Sequence, residues 1–107
     1  MNPKTRFDEI VDDLAAQDPD VAAAQMMGRP SIKAGGKLIA CLESRGTMAF
    51  KLPDEAEQEK ALALDGARVY EPADNGRKMG GWIEVPPAHE ARWAELAATA
   101  LRLRKSS

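Results

Sequence analysis

The chain reads as a small α+β domain, a two-layer antiparallel sheet with helices on one face. Three observations predict this. The apolar residues recur at helical spacing near both ends, at a period of two through the middle, and short glycine-containing connections join neighbouring alternating runs. With 107 residues, 44% of them hydrophobic and 30% charged, the chain holds one core and lies in the compositional range of folded proteins. One domain over residues 1–107 is expected.

Phe7, Ile10, Val11 and Leu14 stand at i, i+3, i+4 and i+7, with Asp8, Glu9, Asp12 and Asp13 on the remaining faces, so an amphipathic helix is expected over Thr5 to Ala16. Gln17-Asp18-Pro19-Asp20 breaks it, and Val21 to Met27 reads as a short helical turn that Gly28 and Pro30 interrupt. A strand is expected around Ser31 to Lys33, turning through Ala34-Gly35-Gly36. Lys37 to Glu43 and Thr47 to Leu52 then pair across Ser44-Arg45-Gly46. Strict alternation places Leu38, Ala40, Leu42, Met48 and Phe50 on one face. It leaves Lys37, Ile39, Cys41, Glu43, Thr47, Ala49 and Lys51 on the other.

Asp54 and Glu57, in a capping-box-like spacing after Pro53, start a second helix expected to end at Gly66. Arg68 to Tyr70 and Trp82 to Val85 are two further strands, joined by a long polar loop with Asp74-Asn75-Gly76 at its centre, the best candidate for mobility. Pro86-Pro87 leads into a last helix in which Trp93, Leu96, Ala97, Ala100 and Leu101 form the apolar stripe and Trp93 the core anchor. The element order expected is α-β(3)-α-β(2)-α.

This order, together with Met26-Met27-Gly28, the turn Gly35-Gly36-Lys37, the strand end Phe50-Lys51-Leu52 and Met79-Gly80-Gly81-Trp82, resembles the N-terminal domain of the TfoX/Sxy family. The first motif of that family usually reads Met-Phe-Gly, and Met27 stands here in place of the phenylalanine. The resemblance spans nearly the whole chain and rests on structural motifs. It implies a fold like the secretion-chaperone-like and YjbR-like domains, and a link with competence regulation in some members. It implies no catalytic residue.

The chemistry-bearing residues are few. The single histidine, His89, has no nucleophile motif beside it and reads as a surface or capping residue. The single cysteine, Cys41, lies mid-strand and reads as a packed thiol; it rules out an internal disulfide and a cysteine-cluster zinc site. The pairs Asp12/Asp13 and Asp18/Asp20 lack a calcium-loop pattern, and Gly80-Gly81 lacks a phosphate-loop pattern and reads as a turn or bulge. No catalytic, cofactor-binding or metal-binding residue is therefore expected, and no bound cofactor; the chain is read as not an enzyme.

Charge is sorted along the chain although the total is only -2. Residues 1–28 carry six acidic and two basic groups, whereas residues 29–51 carry Arg29, Lys33, Lys37, Arg45 and Lys51 against Glu43 alone. The basic segment reads first as protection of strand edges, and second as a site for an anionic partner. No apolar run approaches a membrane span and no secretory leader opens the chain, so a cytoplasmic location without membrane contact is expected. The functional expectation is a noncatalytic interaction or regulatory module, meeting a protein partner or a second copy through Lys37, Ile39, Cys41, Thr47, Ala49 and Lys51. The alternative is a nucleic-acid-associated regulator using the basic hairpins.

Overall fold

In the computed structural model, which describes residues 2–73 and 75–106, six strands form one open antiparallel sheet and three helices pack against it. Helix α1 covers Pro3–Gln17; Asn2 caps it by accepting from the Lys4 N–H at 2.8 Å, and its buried stripe is Phe7, Ile10, Val11 and Leu14. Strands β1 (Val21–Met26), β2 (Arg29–Ala34), β3 (Lys37–Leu42) and β4 (Met48–Lys51) follow as consecutive hairpins. Helix α2 (Glu55–Leu62) leads to β5 (Arg68–Val69) and β6 (Trp82–Val85). A single 3₁₀ turn at Pro87–His89 then opens helix α3 (Glu90–Ser106). The order across the sheet is β1-β2-β3-β4-β6-β5, because β6 returns to pair with β4 and pushes β5 to the edge.

The α+β class and the antiparallel sheet agree with the sequence reading; the element order differs by one strand. Val21–Met26 is a strand, so four strands precede α2. Its alanines favour a helix locally, but the Met27-Gly28 loop overrides them. Both residues have positive φ, 51° and 82°, the twist that a two-residue hairpin turn requires, and β1 folds back onto β2 from Met26↔Arg29 to Val21↔Ala34. Helix α2 also stops at Leu62, short of Gly66.

A second difference decides which residues share a face. The register between β2 and β3 shifts at Ile32/Lys33: Ile32 faces Ala40 and Lys33 faces Leu38, so Ile39 is an extra residue in β3. The bulge turns Ile39 onto the helix side, where it joins Ile32, Ala40, Leu42, Phe50, Ile83 and Val85 in the main core beneath all three helices. Trp93 is fully buried in the same core. Leu38 moves the other way and packs on the second face. No described helix is long and apolar enough to cross a membrane.

Candidate functional site

The second sheet face carries a buried charged network that sequence reasoning did not assemble. Its centre is two glutamates, Glu43 after β3 and Glu84 in β6, exposed by only 4% and 2%. Two carboxylates this deep in a domain are costly unless donors surround them. Arg68, directly opposite Glu84 in the β5–β6 pair, donates to its Oε1 at 2.9 Å; Arg45 donates to its Oε2 at 2.6 Å, and the Thr47 hydroxyl donates to the same oxygen. Glu43 accepts from the Arg29 Nε and the Tyr70 hydroxyl, and a second Arg45 nitrogen lies 3.5 Å from its Oε2. Arg45 thus bridges the two acids.

The neighbouring backbone fits this arrangement. Ala49 faces Glu84 across β4 and β6, and its small side chain leaves room for the carboxylate and its donors. Arg29 and Arg45 also donate to the carbonyls of Pro72 and Glu71, at 3.2 and 2.9 Å, which ties the segment after β5 to the network. Burial alone would push the Glu84 carboxyl up; the hydrogen bonds from Arg45, Thr47 and Arg68 outweigh it and hold the group below the usual carboxylate range. It is a structural anion, clamped by cations.

Beside the network lies a small apolar cluster of Cys41, Ala49, Tyr70 and Trp82, with Met26, Leu38 and Met79 packed on it. The Tyr70 and Trp82 rings sit 6.0 Å apart and tilted by 41°. The Cys41 thiol donates to the Tyr70 hydroxyl at 3.4 Å, and that hydroxyl donates onward to Glu43. Burial pushes the thiol up to about 11 and raises the Tyr70 phenol as well. At neutral pH Cys41 is therefore a protonated, enclosed thiol and a poor nucleophile.

The six residues expected to form one interaction surface do not share it. Ile39 lies in the main core on the opposite face, 1% exposed, because of the bulge. Cys41 and Ala49 are on the second face but fully buried beneath Tyr70 and Trp82 of the same chain. Thr47 is partly buried and bonded to Glu84, while Lys37 and Lys51 are exposed. The cover comes from the two ends of the 70–82 connection, which is closed by the Met79 N–H on the Tyr70 carbonyl at 2.8 Å; Asp74 in its middle lies outside the described residues.

Two of the basic-segment residues have a role that neither sequence reading supplied. Arg29 and Arg45 neutralise buried acids of their own chain, whereas Lys33, Lys37 and Lys51 have no ion-pair partner among the described residues. Glu84 had a legible signal, an acid between Ile83 and Val85 sharing a strand face with Trp82, but nothing local names Arg45 and Arg68 as its partners. His89 bonds the Asp65 carbonyl at 2.7 Å, so its Nε2 carries the proton and links the last turn of the chain before α3 to the end of the α2 region. Gly81 has φ 85°, the turn role expected of Gly80-Gly81. Among the described residues no three acidic, histidine or cysteine side chains converge as metal ligands. Comparison with family models, curated proteins and solved structures finds no match.

The edges of the sheet differ sharply. At one side β5 is only two residues long and carries Arg68, a short charged edge that resists pairing. At the other side β1 is six residues long, Val-Ala-Ala-Ala-Gln-Met, with neither charge nor proline. Next to it, α1 and β1 bound a surface groove lined by Phe7, Val11, Asp8, Asp12, Ala23 and Gln25.

Proposed function

We propose that the chain is a noncatalytic interaction module that meets a protein partner along the β1 side of its sheet. The observation that carries this reading is β1 itself, an uncharged six-residue edge strand without the lysines, prolines or shortness that usually blunt such an edge. The second face supports it. Its acids, arginines, phenol and thiol are engaged with one another, which suits a rigid platform. A regulatory role like that of the TfoX/Sxy N-terminal domain belongs to the same proposal, on the motifs around Met27 and Gly81.

A photocrosslinking residue at Gln25 tests it in cells. Gln25 is expected to yield a discrete protein adduct, and the same group at Glu55 on α2, away from β1, is expected to yield none. Equal labelling at both positions refutes the reading. Lys33, Lys37 and Lys51, without an ion-pair partner among the described residues, favour the second reading, a nucleic-acid contact; there, affinity for a DNA duplex would fall steeply and linearly on a log–log plot against salt.

A further inference from the structure

The hairpin geometry fixes which backbone groups of β1 are free. The Met27-Gly28 turn closes on the hydrogen-bonded pair Met26↔Arg29, and antiparallel pairs alternate, so Ala24 and Ala22 also exchange hydrogen bonds with β2. Val21, Ala23 and Gln25 turn their N–H and C=O groups outward. The Val21 N–H reaches the Asp18 carbonyl at 3.1 Å, which leaves Ala23 and Gln25 facing solvent on the open edge.

On the helix side, an added strand would turn alternate side chains toward the groove between α1 and β1. Phe7 and Val11 are its buried apolar residues, and Asp8 and Asp12, one helical turn apart, line it together with Lys4. Lys4 pairs with Asp8 at 2.6 Å, while Asp12 has no ion-pair partner among the described residues. A two-fold pairing of β1 with a second copy would bring this acidic helix beside its own duplicate, where like charges oppose.

Resting on the module reading, we propose that β1 accepts an extended basic segment of a partner protein as a seventh strand, with lysine or arginine side chains reaching Asp8 and Asp12. Main-chain hydrogen bonds to Ala23 and Gln25 supply the pairing, and the two aspartates supply the preference for basic over acidic sequences.

The probes are two capped eight-residue peptides, one alternating lysine and valine, the other glutamate and valine. Anisotropy titration and amide exchange of Ala23 and Gln25 are the readouts. The lysine peptide is expected to bind saturably and slow both amides, with the glutamate peptide at least tenfold weaker. Asp12→Lys is expected to weaken the lysine peptide by tenfold or more. Ala23→Pro removes an outward N–H and is expected to abolish binding at an unchanged melting temperature; should it unfold the domain, Gln25→Pro makes the same deletion one pair away.

Equal binding of the two peptides, binding unaffected by the proline variants, or a dimer paired through β1 in sedimentation overturns the proposal. If neither peptide binds while Gln25 still crosslinks to a protein, the basic-strand chemistry fails and the module reading stands. If the crosslink is also absent, both fail.

Discussion

Replacing Glu84 by glutamine keeps the side-chain size and removes the charge at the centre of the buried network. Glu84 accepts from Arg68, Arg45 and Thr47. Glutamine retains one acceptor oxygen and turns an NH2 group toward a donor, so at least one charge-assisted bond is lost and one donor faces another. Breaking a buried ion pair from one side costs about 3–5 kcal/mol. The Arg45 and Arg68 side chains, 31% and 42% exposed, regain some hydration, so Glu84→Gln is expected to lose about 2–3 kcal/mol, less than a fully enclosed pair would.

The pH dependence gives the sign. The folded Glu84 carboxyl is held below its ordinary value, so its contribution is fully present above the unfolded value of about 4.3 and is lost as pH falls through the lower folded value. Urea unfolding of wild type and Glu84→Gln at pH 7 and down to pH 3 measures this. The stability gap should be largest at neutral pH and narrow in acid. A gap below about 1 kcal/mol at pH 7, or one that widens on acidification, would refute the account of Glu84 as a clamped structural anion.

Three further outcomes follow from the packing. Trp93→Ala, at a fully buried anchor under the sheet, is expected to cost about 3–5 kcal/mol in urea unfolding, and a loss below about 1 kcal/mol would mean α3 presents another face. Ile39→Lys puts a charge into the main core beside Ala100, Leu103 and Arg104; its melting temperature should fall steeply with no change of solution mass, whereas a near-native melting temperature would place Ile39 outside the core. Met27 holds φ 51° while 89% exposed, so Met27→Asn relieves a left-handed conformation without losing packing and should add about 0.5–1 kcal/mol, and a destabilised variant would contradict the turn geometry.

The features that rest on local pattern were legible in the residues themselves. The 3.6-residue stripe of Phe7, Ile10, Val11 and Leu14 and the stripe of Trp93, Leu96, Ala97 and Ala100 appear where the periodicity placed them, and the cap at Asp54 where the Asp54/Glu57 spacing placed it. The alternating runs from Ser31 to Leu52 became antiparallel hairpins for the same reason. Each depends on neighbours within a few residues.

Tertiary structure alone decided the rest, because those features depend on pairings between distant segments. Val21–Met26 becomes a strand only by hydrogen bonding to β2, against the helical preference of its alanines. One extra residue at Ile39 reverses the face of Leu38 and Ile39, a shift that a period-two pattern does not reveal. Glu84 meets Arg45 and Arg68 across 39 and 16 residues of chain. Only the folded sheet brings these charges close enough for Coulomb attraction and hydrogen bonding to offset the loss of their hydration.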